Sequence, residues 1–272
     1  MKKVPSFIVA ARNDLAGMNI ADKLINNFGF KFKEENNGVR IFVKNQIHLL
    51  ETESDILELK ELDIYQPIET IICISRHSSQ TGRASLTVHT PGNLGSTADF
   101  GGKPRTLAIA DPQKQKLALQ ELRESTDKLG LKFSVSMEAT HHGPTRFTVP
   151  ALFIEIGSKI ENWKNSLAGE AAASAAWKAA TQSDKSTSAV GFGGGHYSPK
   201  HTAEMLNGHF ALGHILPGYF FEYYDSEIVV QAFQKTKGTC ETAIIDWKGL
   251  KASNRKILIS KLEELVKEIE RI

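Results

Sequence analysis

A chain of 272 residues with 41% hydrophobic content is long enough to bury a large core, either as one big domain or as two ordinary ones. A formal net charge of +2 is too mild to demand or exclude a nucleic-acid partner, so any basic surface must be local, as at Lys103 with Arg105 or at Lys248, Lys251, Arg255 and Lys256. Cys73 and Cys240 stand alone and exclude a disulfide framework, no apolar run approaches a membrane span, and Met1 to Val9 is too poor in apolar residues for a signal peptide, which places the protein in the cytoplasm.

In chain order, Val4 to Ala10 is a strand, and the loop through Asp14 leads into a helix carrying Met18, Ala21 and Ile25 on one face. Val39 to Val43 and Ile47 to Leu50 form a hairpin around Lys44-Asn45-Gln46, Thr70 to Ile74 is a β-branched strand, and Ser85 to His89 is extended. Asp111-Pro112 starts a helix with Ala118, Leu122 and Leu129 in one stripe, and Lys132 to Glu138 alternates as a strand. Ser158 to Thr181 is one long alanine-rich helix, Ala189 to Phe192 is a strand, and Ser198-Pro199 caps the next helix. Leu258, Leu262, Leu265, Ile269 and Ile272 predict a last amphipathic helix. The alternation predicts an α/β protein with a single mixed, largely parallel sheet flanked by helices, and the lack of a linker or repeat predicts one domain over residues 1–272.

Histidines cluster where these strands end. His77, His89, His141, His142 and His196 each follow or close an extended run, and in an open α/β sheet such ends share one crevice. Glu138 stands beside them as an orienting carboxylate, a general base or a metal ligand, three roles that its position does not separate. Gly143-Pro144 is a tight turn that holds His141 and His142, and Thr145 offers a hydroxyl or a turn hydrogen bond. Gly191-Phe-Gly-Gly-Gly-His196 permits a ligand's close approach at Gly194 and Gly195 and runs into a helix start bearing Lys200 and His201. It lacks the P-loop ending and the dinucleotide fingerprint, which excludes ATP and NAD. Asp99 pairs with Lys103 or Arg105 or serves the site.

Five segments, Asp14-Leu-Ala-Gly-Met-Asn-Ile20, Ser75-Arg-His-Ser-Ser79, His89-Thr-Pro-Gly-Asn93, Glu138-Ala-Thr-His-His-Gly-Pro-Thr145 and Gly193-Gly-Gly-His-Tyr-Ser-Pro-Lys-His-Thr202, resemble the archaeal and plant type of D-aminoacyl-tRNA deacylase. The resemblance implies a fold similar to peptidyl-tRNA hydrolases and nucleoside phosphorylases, hydrolysis of the ester between a D-amino acid and tRNA, bound zinc, and a monomer. With it in view, Glu138, His141, His142 and His201 are the catalytic candidates. Thr145, Gly194, Gly195, Lys103 and Lys200 are candidates for substrate binding, and His77, His89 and His196 for one or two Zn2+ ions. A zinc-dependent amidohydrolase or peptidase and a non-catalytic tRNA-binding protein are the rival readings.

Overall fold

The computed structural model describes residues 6–59 and 68–272, so Val4 and Pro5 of the expected first strand lie outside the described residues. Its larger sheet has eight strands in the order β2 (Lys31–Asn36), β3 (Val39–Lys44), β4 (Ile47–Thr52), β1 (Ser6–Ala11), β5 (Ile71–Ser78), β10 (Ala151–Ser158), β6 (Ser85–His89) and β9 (Ser134–Met137). A second sheet, parallel throughout, orders β12 (Phe210–Leu216), β11 (Thr187–Phe192), β13 (Cys240–Ile245) and β14 (Glu268–Arg271). Short strands β7 (Gly92–Asn93) and β8 (Thr106–Leu107) pair with each other. The mixed, largely parallel α/β class is the one expected. Its strands, however, divide between two main sheets instead of one, because the segment after β9 and the segment after β11 turn toward each other and pair. Ala139 N donates to His196 O at 2.8 Å, Thr140 N to Ile215 O at 2.9 Å, and Ser198 N to Met137 O at 3.2 Å.

Strand alternation gives the larger sheet two unlike faces. On one, Ile8, Ile72, Ile74, Leu152, Ile154 and Val88 share a core with helices α1 (Leu15–Phe28), α2 (Pro112–Lys128) and α4 (Ser166–Thr181). This core continues into the second sheet through Leu212, Ile215 and Ile244. On the opposite face, Phe7, Val9, Ile71, Cys73, Ala151 and Phe153 make a smaller core beneath Ile56, Leu59 and Phe147. The residues that continue this second face along β5 and β10 are Ser75 and His77, paired in register with Glu155 and Gly157. One face is thus apolar over its first half and polar over its second. The far side of the second sheet packs on α6 (Ser226–Gln234) and α7 (Ala252–Leu262) through Val190, Ile245, Val229 and Leu258.

Local chemistry explains where helices start and stop. Asp14 caps α1 by accepting from the amides of Ala16 and Gly17, and its second oxygen accepts from Arg76 N at 2.9 Å, tying the helix start to β5. Asp111 caps α2 with Pro112 at the first helical position. Ser198 precedes α5 (Pro199–Asn207), its hydroxyl turned back to Gly195 O.

Two expected helices are corrected. Ser158 ends β10, and the long helix is split into α3 (Ile160–Trp163) and α4. The break is filled by Asn19, whose amide donates to Trp163 O at 2.8 Å and Asn165 O at 2.9 Å, while Asn165 caps α4 at Ala168 N. The last amphipathic stripe ends as helix at Leu262, and Ile269 belongs to β14, paired with Ala243 of β13. Residues 268–271 are too few to show a period of their own, and the parallel edge of β13 offers backbone groups that a strand satisfies and a helix would not.

A Cβ added to Gly169 would collide with the Asn19 side-chain oxygen. Alanine is favoured over glycine in a helix interior by about 1 kcal/mol, but two partly buried hydrogen bonds at about 1 kcal/mol each would be displaced. Gly169→Ala should therefore lower the urea midpoint at unchanged slope, and a raised midpoint would contradict this account of the helix break.

Candidate active site

The floor of the site is the polar half of the sheet face just described. His77 lies within β5, His89 closes β6, and Glu155 lies between them on β10, so strand register alone brings them to one surface. His77, expected beyond the end of its strand, lies instead within β5. Ser75 donates its hydroxyl to Glu155 Oε1 at 2.7 Å, and His77 Nδ1 approaches Glu155 Oε2 at 3.6 Å. His89 is fully buried and stacks on Phe153, with ring centroids 5.1 Å apart and planes at 7°.

Above this floor sit the two glycine-bearing segments, held together by the backbone bonds that join the sheets. Glu138 follows β9 directly and bridges Tyr197, which brings its carboxylate into the centre. His77 Nδ1 lies 3.2 Å from Oε1 and His89 Nδ1 3.3 Å from Oε2; His196 Nε2 is 3.6 Å from Oε1 and His141 Nε2 3.9 Å from Oε2. His142 completes the group by placing Nε2 at 3.2 Å from His89 Nε2. Backbone oxygens orient two of the rings, Ala139 O for His141 Nδ1 at 2.8 Å and Gly143 O for His142 Nδ1 at 2.6 Å. Tyr197 OH fixes His77 Nε2 at 2.7 Å.

A cavity of about 410 Å³ opens over His77, His141, His142, Glu155 and His196, with Asp55, Leu57 and the exposed Phe100 on its rim. Burial favours neutral groups here, and the close pairs resist it. Burial holds His89 and His141 well below the ordinary imidazole range. For His77 burial acts downward too, but Glu155 and Glu138 outweigh it and raise the ring above its usual value. Burial would raise Glu138 and Glu155; the neighbouring His196 and His77 rings, with further imidazoles nearby, keep both carboxyls below the usual range.

The donor set fits a metal ion. Three triads place one ligand atom from each residue within 4.8 Å of the others: His89 with His141 and His142; His77 with Glu138 and His196; and His89 with Glu138 and Glu155. Both Glu138 oxygens and His89 Nδ1 are buried without a hydrogen-bond partner among the described residues, although imidazoles crowd around them. Converging imidazole and carboxylate donors whose lone pairs are otherwise unanswered suit a borderline divalent ion.

The structure thus brings Glu138, His141, His142, His77, His89 and His196 together. Other expected residues do not join them. His201 is fully buried, with Nε2 3.3 Å from Ile244 O and its ring under Gly191, so it serves the core of the second sheet. Lys200 spends its ammonium on Asp246 at 2.7 Å and on Ile272 O at 2.9 Å. Thr145 Oγ1 accepts from Lys103 N at 2.9 Å, a turn bond that closes the loop carrying Phe100 against the histidine turn; Asn93 holds the same loop through Gly101 O. Gly194 O accepts from Gly218 N and Gly195 O from Ser198, so both serve loop closure. Arg105 pairs with Asp225 and not with Asp99. Glu155 is the residue that periodicity missed. Its signal was a lone carboxylate inside the apolar run Ala151-Leu-Phe-Ile-Glu-Ile156.

The chain is similar to known proteins along nearly its whole length. The family described as D-aminoacyl-tRNA deacylase matches residues 64–270. A D-aminoacyl-tRNA deacylase of Pyrococcus furiosus is 39% identical over 267 residues, covering 95% of this chain and 96% of that one. One from Archaeoglobus fulgidus is 38% identical over 257 residues, covering 92% and 90%. The crystal structure of a conserved protein of unknown function superposes with a TM-score of 0.90 at 35% identity, over 100% of this chain and 96% of that one.

Burial pushes His201 down to about 4 and His214 down to about 3. Both stay neutral when folded, whereas unfolded imidazoles take up protons below about 6.5, so stability present above that pH is lost as pH falls toward the folded values. For His201 this amounts to about 2 kcal/mol between pH 7 and pH 5. Urea denaturation at the two pH values should show the drop, and His201→Asn should flatten it; equal stability at both would refute the buried neutral rings. A divalent transition metal should raise the melting temperature, by the equivalent of about 2.7 kcal/mol at a hundredfold excess over Kd. His89→Ala combined with Glu138→Gln should abolish that rise, and an undiminished rise would move the metal elsewhere.

Proposed function

The chain belongs to the D-aminoacyl-tRNA deacylase family, and from that premise we propose that it hydrolyses the ester joining a D-amino acid to the terminal ribose of tRNA, releasing both in the chiral proofreading of translation. The observation that supports this most directly is the buried Glu138, in contact with His77, His141 and His196, three imidazoles that line an open cavity, within a sequence related to named deacylases along nearly its whole length. We further propose a monomeric, single-domain enzyme of the cytoplasm. One core cluster draws on both sheets, in keeping with a single folding unit, and no helix among the described residues is long and apolar enough to cross a membrane.

An aminoacyl ester is already activated, so the protein has to position water, accept its proton, stabilise the oxyanion and protonate the ribose oxygen that leaves. Glu138 takes the water proton: it is buried and central, burial's upward push on its carboxyl is outweighed by the surrounding imidazoles, and no hydrogen bond occupies either oxygen. His196, a third exposed at the cavity and 3.6 Å from Glu138 Oε1, carries the proton to the leaving oxygen. His141, whose Nδ1–H donates to Ala139 O, turns its unprotonated Nε2 toward Glu138, where it can accept a proton or hold a metal ion. Glu155, with Ser75 on one oxygen, orients His77 from below. Zinc, when bound, would be held by His89, His141 and His142 at one position and by His77, Glu138 and His196 at a second, and there Glu138 and His196 would serve as ligands in place of the proton transfer described above. Bound zinc would polarise the ester carbonyl and lower the pKa of water toward neutrality.

Purified protein should release D-amino acid from charged tRNA and spare the L-charged form, with the activity removed by a chelator and restored by zinc. Glu138→Gln should lower kcat by about 10² or more with the circular dichroism spectrum unchanged. A fully active Glu138→Gln variant would remove that carboxylate from the reaction.

A further inference from the structure

A second cavity, of about 450 Å³, lies on the other side of Tyr197 from the histidine cluster. It is lined by Arg83, Arg123, Ser134, Ser136, Tyr197 and Asn207, among others, and no carboxylate is present among the described residues that line it. Neither guanidinium is committed to an acid. Arg83 is exposed and forms no ion pair among the described residues, while Arg123, half-buried, makes one long bond of 3.4 Å to Val135 O. Lys159 extends the positive surface, because its ammonium lies against Gly82, next to Arg83. Two guanidiniums without a carboxylate partner, with the Ser136 hydroxyl and the Asn207 amide in the same lining, make a donor-bearing, acid-free pocket, the composition that binds phosphodiester oxygens, although the Ser134 hydroxyl is already given to Ala84 O.

Tyr197 links the basic pocket to the histidine cluster. Its hydroxyl meets His77 Nε2 on the catalytic side, while the residue also lines the basic pocket. An RNA strand whose 3′ ribose is esterified over the histidines must carry its preceding phosphates away from them, and the basic pocket is the adjoining positive surface. We propose that the pocket between Arg83 and Arg123 holds the phosphodiester backbone of the substrate's single-stranded 3′ end, so that Tyr197 separates a binding compartment for phosphate from the reacting compartment. The inference rests on the deacylase reading for the identity of the RNA, and on the pocket's own chemistry for the site.

The test separates the two. Uncharged tRNA binding is measured over a salt series, and hydrolysis is measured on both charged tRNA and a D-aminoacyl ester of adenosine, which has no phosphate. Arg83→Ala and Arg123→Gln should each weaken tRNA binding about tenfold and lower the salt slope by about one. The adenosine ester should be hydrolysed at the wild-type rate by both. Arg83→Glu should weaken binding further, and because Arg83 is exposed, this variant guards against a folding defect at Arg123. Wild-type affinity and slope in the Arg83 variants would overturn the proposal, as would an equal loss on the adenosine ester. If the wild type binds tRNA through these arginines yet hydrolyses neither substrate, the deacylase reading fails and the pocket stands.

Discussion

Burying a carboxylate without hydrogen bonds is unfavourable unless neighbouring charges or a metal answer it, and the centre of this protein contains two such groups close together. Glu138 has no hydrogen bond on either oxygen, and Glu155 has one, from Ser75. The imidazoles of His77, His89, His141 and His196 close around them; the raised His77 ring answers the charge, while burial keeps His89 and His141 toward their neutral form. Much of the surrounding structure follows from that requirement. The backbone bonds between segments 137–140 and 193–198 fix two of the rings, and the turn through Gly143 orients a third. A polar cluster of this kind contributes little to stability by itself. It is sustained by the large aliphatic core on the helix side of the same sheet.

The parts of the fold that were legible in the sequence are those with one clear period. The strand through Ser85 to His89, the helix after Asp111-Pro112, the cap at Asp14 and the helix start at Ser198-Pro199 were legible, although the Ser198 hydroxyl turns to Gly195 O instead of capping the helix. Elsewhere distant contacts decided. The helix break at Lys164 and Asn165 depends on Asn19, well over a hundred positions away in the chain, and the final strand depends on the open edge of β13. For the site, the histidines were legible because they gather beside extended runs, whereas Glu155 hid within an apolar strand whose hydrophobicity reads as plain core. His201 misled for the opposite reason. Its place beside a glycine loop resembles a site, but the helix turns the ring inward, toward Ile244 O.

The two sheets have distinct tasks. The larger one provides a rigid floor, and the smaller one supplies the loop with His196 and Tyr197 that closes over it. Placing the orienting groups Ser75, His77 and Glu155 within strands, beneath the segments that carry Glu138, His141 and His196, preorganises the cluster before substrate arrives. It also separates recognition from reaction. The loop around Phe100 and the basic hollow beyond Tyr197 lie at the periphery, where substitutions need not disturb the floor.

Because Ser75, His77, Glu155 and His89 project from one face only by virtue of strand parity, the floor is written in odd and even positions. Inserting or deleting a single residue early in β5 or β10 would rotate those side chains into the aliphatic layer beneath and lift isoleucines into the cleft. Lineages of this protein can therefore vary these strands by exchange of side chains but not by change of length, whereas the loops above can lengthen or shorten freely. Divergence in substrate preference should accordingly be recorded as loop-length variation over a floor of constant spacing.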